Sequence, residues 1–134
     1  MRAARLAVIE LVSLDGMDVV GHILMSTLDV TVGGTPVRSL ALAPLSVQPG
    51  RQRKGIGSAL VHEALRQARR QCWQAVIVLG HPGYYPRFGF SAALARPLAS
   101  PFAGEAFMAL ELTPDALSGG AGLVVYPPAF GVAP

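Results

Sequence analysis

The chain has 134 residues, enough for one domain with a sizeable core. Hydrophobic residues make up 51% and charged residues 14%, which excludes intrinsic disorder, and the 15 glycines and 11 prolines follow no repeat, which excludes collagen and simple linker. A net charge of +3 does not demand nucleic acid, and the lone Cys72 excludes a disulfide framework and a cysteine-rich zinc site while fitting a reducing compartment.

Met1-Arg2-Ala3-Ala4-Arg5 is basic and precedes Leu6-Ala7-Val8-Ile9, in the manner of a signal-peptide start. Glu10 and Asp15 interrupt that run, and no small-residue cleavage site follows. No apolar stretch reaches the roughly 18 residues of a membrane helix. The expectation is a soluble, cytoplasmic protein with no membrane partner.

The runs Leu6 to Leu14 and Val19 to Met25 flank Asp15-Gly16, a dipeptide that tolerates the positive φ of a tight hairpin turn. Gly33-Gly34 follows Leu28 to Val32 as a second turn signal. The next run, Val37 to Val47, holds Pro44, which cannot donate to a ladder, so a bulge or split is expected there. The opening third is predicted to be an antiparallel meander of three strands.

From Ile56 to Arg70 the pattern turns helical: Leu60, Val61, Ala64, Leu65 and Ala68 make one apolar stripe. Basic residues gather at its C-terminal end, where the helix dipole favours cations. Ala75 to Leu79 reads as a buried strand parallel to the one before the helix, giving a βαβ-type unit. Gly80 to Phe90 is a structured loop or one short helix, since Pro86 prevents a long one. Phe107 to Leu112 and Leu123 to Tyr126 are late strands joined by Pro114 to Gly122. With no internal repeat or linker, residues 1–134 are expected to form a single domain of α+β class on a mixed sheet.

The chemistry concentrates in Arg51-Gln52-Arg53-Lys54-Gly55-Ile56-Gly57-Ser58, between a strand and a helix start. Glycines bring backbone N–H groups close to a ligand, the helix N-terminus adds unpaired donors, and three cations complete an anion cradle suited to phosphate or pyrophosphate. A Walker A loop fails because Ile56 stands where lysine is required. A dinucleotide fingerprint fails because Leu60 occupies the third glycine position and no acid stands about 20 residues on. The pattern that fits is Gln/Arg-x-x-Gly-x-Gly, as Gln52-Arg53-Lys54-Gly55-Ile56-Gly57.

That pattern resembles the acetyl-CoA pyrophosphate loop of the GNAT acetyltransferases. The stretch Gly80-His81-Pro82-Gly83-Tyr84-Tyr85-Pro86-Arg87-Phe88-Gly89-Phe90 is similar to one in the YhbS-like group of that family, and the resemblance runs from about Leu6 to Phe130. It implies the acyl-CoA N-acyltransferase fold: a mostly antiparallel mixed sheet with one long central helix. It implies acetyl-CoA as co-substrate, no metal, and acetyl transfer to a primary amine, small molecule or protein, by direct attack in a ternary complex. Main chain near Leu45, Ser46 and Val47 would pair with the pantetheine arm, and backbone N–H near Val47 would polarise the thioester carbonyl. The pyrophosphate would rest on the loop, with Gln52, Arg53, Lys54, Gly55, Ile56, Gly57 and Ser58 as its binding residues.

The thiolate leaving group needs a proton donor, and the resemblance points to Tyr84 and Tyr85, with Tyr85 preferred. The alternative is that both rings simply pack with Phe88 and Phe90. The base is less defined, because Leu40 to Val47 carries no carboxylate or histidine. His81 could act through water or merely shape its loop. His22 reads as a core or lining residue, His62 as solvated, Asp29 as a weak candidate. Cys72 has no adjacent histidine, and Trp73 packs.

A full domain of this family usually begins with a strand and two helices that build much of the acceptor pocket. A first hairpin at Leu6 leaves no room for them, so a non-catalytic CoA-binding module is the alternative function. Bare apolar strands in their place imply a homodimer. A nucleic-acid partner is not expected, since no aromatic-lined strand face accompanies the cations.

Overall fold

Both glycine turns of the opening third reverse the chain where the sequence places them. A computed structural model, describing residues 7–100 and 104–125, shows β1 (Ala7–Asp15), β2 (Asp18–Val32) and β3 (Thr35–Val47) as an antiparallel meander. Gly33 and Gly34 take φ of 58° and 82°, conformations in which a side chain is strained, and Val32 pairs with Thr35 across them. The apolar runs Val19 to Met25 and Leu28 to Val32 join into one continuous β2.

The helix α1 (Ile56–Arg70) buries the expected stripe of Leu60, Val61, Ala64, Leu65 and Ala68. It leads to β4 (Ala75–Leu79), which runs parallel to β3. A 3-10 turn at Tyr85–Phe88 follows, then α2 (Ala92–Ala95), β5 (Leu98–Ala99), β6 (Phe107–Glu111) and β7 (Gly122–Val125). The sheet order is β5-β7-β2-β3-β4-β6, with β1 on the edge of β2 that β7 continues. Leu6, Tyr126 and the rest of the C-terminal stretch to Phe130 lie outside the described residues. The sequence offered no expectation for α2 and β5. At 4 and 2 residues they are too short for periodicity to appear, although Ser91 caps α2 by accepting from the Leu94 N–H at 3.3 Å.

Period-2 alternation puts two apolar clusters on opposite faces of the sheet. On one face Ile23, Met25, Leu40, Leu42, Val76, Val78, Met108 and Leu110 meet α1 and the rings of Tyr85, Phe88 and Phe90. On the other, Leu28, Val30, Val37, Ala41, Ile77 and Phe107 meet Ala95, Leu98 and Leu117. Pro44 sets the register between them. From Ile23↔Leu45 to Met25↔Leu42, β3 spends three residues against two of β2, so an extra residue bulges at Ala43-Pro44. Below the bulge the even-numbered Leu40 and Leu42 face α1. Above it the odd-numbered Leu45 does so. Without the extra residue Leu45 and Val47 would turn to the opposite face.

Candidate active site

The pairing of β3 with β4 is short. It comprises Ser39↔Ala75, Leu40↔Val76 and Ala41↔Ile77 and then stops, while β3 continues to Val47 and β4 keeps its ladder with β6 to Leu79. From Leu42 onward the edge of β3 that faces β4 therefore has no ladder partner among the described residues. The bulge sits at the start of this parting, where proline has already removed a donor.

The mouth of the parting lies against the start of α1. Gly55 precedes the helix at φ 83°, and no side chain caps the first turn. The N–H groups of Ile56, Gly57 and Ser58 are thus left without intrahelical acceptors, at the positive end of the helix dipole. A cavity of about 810 Å³ opens here, lined by Leu45, Val47, the loop from Arg51 to Ser58 apart from Lys54, and His81, Tyr84 and Arg87.

Within the loop the cations have separate duties. Arg51 is ion-paired with Asp15 at the end of the first hairpin. Gln52 donates to the Val47 carbonyl at 3.2 Å and so ties the loop to β3. Arg53, at φ 65°, lines the cavity, whereas Lys54 is exposed outside it. Ser46 likewise turns its side chain away, since it alternates with Leu45 and Val47 and pairs with His22 across β2. Only its main chain remains at the parting.

The two tyrosines meet edge-on at 5.2 Å but serve different surroundings. Tyr84 is on the cavity wall, with its hydroxyl 3.4 Å from Ser58 Oγ. A Cβ on Gly57 would lie 3.0 Å from that hydroxyl, so any larger residue here would press the Tyr84 hydroxyl aside. The Arg87 guanidinium stacks 4.5 Å over the Tyr84 ring and donates through Nε to the Tyr84 carbonyl at 2.9 Å. Tyr85 instead packs into the core, 9% exposed, against Phe88 and with Phe90 at 5.7 Å. The preference for Tyr85 over Tyr84 therefore meets a geometry that favours the reverse: adjacent residues at the entry to a 3-10 turn diverge, and the first ring faces the cavity.

Burial pushes the Tyr85 phenol above its ordinary value, and neighbouring Tyr84 adds to the rise. The neutral form is the one the fold prefers. Its stabilisation is complete below the unfolded value of about 10 and is lost as pH rises through the higher folded value. Wild-type denaturation midpoints should thus fall as pH rises above about 10, and Tyr85→Phe should flatten that fall. Parallel slopes for the two proteins would refute the assignment.

The remaining histidines are dispersed. His81 lines the cavity. His62 meets the Phe88 ring edge-on at 5.1 Å on the exposed side of α1. His22, on β2, is half-buried and bonds through Nε2 to Glu10 Oε2 at 2.7 Å. Asp29 is exposed on β2, cross-strand from Arg38. Cys72 is exposed, and Trp73 packs against the core with Arg38 stacked 4.3 Å over it. Two side chains in contact with these candidates are not singled out by the sequence. Arg87 carried a weak signal, standing three residues after Tyr84 in a proline-started turn. Glu10 shows in the sequence only as a break in an apolar run.

The profile of the acetyltransferase (GNAT) domain matches residues 8–93. The chain is 35% identical over 114 residues to the uncharacterised N-acetyltransferase YhbS of Escherichia coli K12, covering 84% of this chain and 67% of that protein. The E. coli YhbS structure in complex with CoA superposes with a TM-score of 0.82 at 33% identity, covering 95% of this chain and 71% of that one. A GNAT-family acetyltransferase from Brucella melitensis, in complex with acetyl-CoA, gives a TM-score of 0.69 at 36% identity, over 90% of this chain and 67% of that one. The parted strands, the glycine loop at a helix start and these likenesses agree, and the chain belongs to the GNAT acetyltransferase family.

Proposed function

We propose that this single-domain enzyme binds acetyl-CoA along the parting of β3 from β4 and transfers the acetyl group to a primary amine by direct attack in a ternary complex. The observation that carries the reading is the coincidence of three things at one cavity: unpaired strand edge, uncapped helix N-terminus with Arg53, and the Tyr84 hydroxyl. The pyrophosphate would rest on the N–H groups of Gly55 to Ser58 and on Arg53. The pantetheine arm would take the free main-chain groups of Leu45, Ser46 and Val47, and a backbone N–H there would polarise the thioester carbonyl. Tyr84 would protonate the departing thiolate. Calorimetric titration with acetyl-CoA, followed by thiol release in the presence of primary amines, tests this. Absence of binding would overturn it.

The reading extends to assembly and place. Val12, Leu14, Met17 and Val19, at the far end of the first hairpin, are each about half exposed or more. A second copy packed there would cover them and wall the acceptor approach, making the protein a homodimer. Light scattering at micromolar concentration should give twice the chain mass, and a monomer throughout would refute the dimer. A cytoplasmic location agrees with the exposed, unpaired Cys72. No helix among the described residues is long and apolar enough to cross a membrane.

A further inference from the structure

We infer that His22 is the general base of the transfer and that Glu10 positions it. This rests on the proposed site and supplies the proton acceptor that β3 lacks. The starting point is which face of the sheet the amine can use. On one face, α1, its loop and Tyr84 enclose the cavity. The amine must therefore reach the parting from the opposite face. There α2 and Leu98 pack over the Leu28 to Val32 half of β2, while His22 and its partner Glu10, toward the other end, are reached by solvent.

Alternation places His22 on that face. Its register partner on β3 is Ser46, within the unpaired segment, and one strand spacing of about 4.8 Å separates the two. The neighbouring segments offer no rival on this face. Leu42 to Val47 and all of β4 lack any carboxylate or imidazole. Glu111, at the far end of β6, accepts instead from the Leu117 N–H at 3.0 Å. His81 belongs to the cavity on the helix side.

The hydrogen bond makes the imidazole suitable. Glu10 Oε2 lies 2.7 Å from His22 Nε2. A carboxylate there holds the proton on Nε2 and leaves the Nδ1 lone pair as acceptor, the logic by which a carboxylate orients any catalytic histidine. Four residues along the same face, Ser26 Oγ is fully buried without a partner, opposite Ala41 on the last rung before the strands part. This face thus carries polar groups beside the parting, with His22 and Glu10 reached by solvent and Ser26 covered.

The step balances as follows. The incoming ammonium loses one proton to His22 Nδ1, which passes it to solvent. The freed lone pair forms the C–N bond, and the C–S bond breaks with its electron pair going to sulfur. Sulfur takes a proton from Tyr84, and Tyr84 recovers one from the second proton shed by nitrogen. The net products are an amide, CoA thiol and one proton.

The test is thiol release from acetyl-CoA with spermidine, tyramine and a lysine-containing tetrapeptide as acceptors. His22→Gln should lower kcat at least tenfold on the best of these, with KM for acetyl-CoA and calorimetric affinity within twofold of wild type. His62→Gln, on the exposed side of α1, should leave turnover unchanged. Glu10→Gln should lower kcat too, and the double variant should be no slower than His22→Gln alone, because the pair acts as one unit. Nitrogen-15 spectra of the His22 ring should show Nε2 protonated and Nδ1 bare in the wild type, and mixed tautomers in Glu10→Gln. A loss under tenfold in His22→Gln, multiplicative losses in the double variant, or a protonated Nδ1 overturns the assignment while acetyl transfer stands. No thiol release from the wild type with any probe overturns acetyl transfer to free amines, and the base with it.

Discussion

Arg53→Ala should weaken acetyl-CoA binding by at least about tenfold, since a charge-assisted hydrogen bond to phosphate contributes roughly 1.5–3 kcal/mol and tenfold is about 1.4 kcal/mol. Lys54→Ala should weaken it by less than about threefold. A reading of charge alone treats the two as equals. Both are exposed, and the structure separates them by place: Arg53 lines the cavity and Lys54 does not. Arg51 forms an intermediate case, because its guanidinium is engaged by Asp15 and must exchange or share that partner to reach a ligand. Calorimetry on the single variants, at low and at moderate salt, checks the ranking. Lys54 acts only at long range and its small effect should vanish with screening, whereas the Arg53 effect should persist. Equal affinities for wild type and Arg53→Ala would remove the loop from the site.

The ranking shows which part of the site is legible in one dimension. The loop pattern at Gln52 to Gly57 fixes where the backbone must turn and where the helix begins, because glycine spacing and helix start are local properties. The helix stripe, β4 and the bulge at Pro44 were equally local, each following from periodicity or a missing donor. What a side chain faces is not local. Tyr84 and Tyr85 have the same chemistry and adjacent numbers. Only the entry geometry of a 3-10 turn sends one ring to the cavity and the other into the core.

The His22–Glu10 pair was hidden for a sharper reason. A two-residue turn at Gly16-Met17 pairs Asp15 with Asp18 and Leu14 with Val19. Continued without change, that register sets Leu11 opposite His22 and Glu10 opposite Ile23, with the two polar residues on opposite faces. The register instead shifts between Ser13 and Leu14, where β2 gains a residue, so that Ser13 meets Gly21 and Val12 meets His22. The one-residue slip brings Glu10 onto the face of His22. Gly21 stands at the shift, opposite Ser13, and a lone glycine inside an apolar strand is the one local signal of it, weaker than the one Pro44 gives its own bulge.

Tyr84→Phe should lower kcat by about 100-fold while leaving KM for acetyl-CoA nearly unchanged, a loss of about 2.7 kcal/mol from the transition state. The hydroxyl lies 3.4 Å from Ser58 Oγ at the first turn of α1, and the ring is gripped by the Arg87 guanidinium at 4.5 Å and by the edges of Tyr85 and Phe88. Removing one oxygen keeps those ring contacts, so cofactor affinity should stay. What disappears is the donor that meets the thiolate, and a thiolate forms only as the C–S bond breaks. An interaction made only then affects kcat and kcat/KM equally. Tyr85→Phe, altering a ring in the core, should change kcat by less than about threefold. Arg87→Ala should fall between the two, because it releases the Tyr84 ring and carbonyl without deleting the hydroxyl. Steady-state kinetics on the three variants decides the matter. A Tyr85→Phe enzyme slower than Tyr84→Phe would reverse the assignment, and would require the 3-10 turn to rearrange when acetyl-CoA binds.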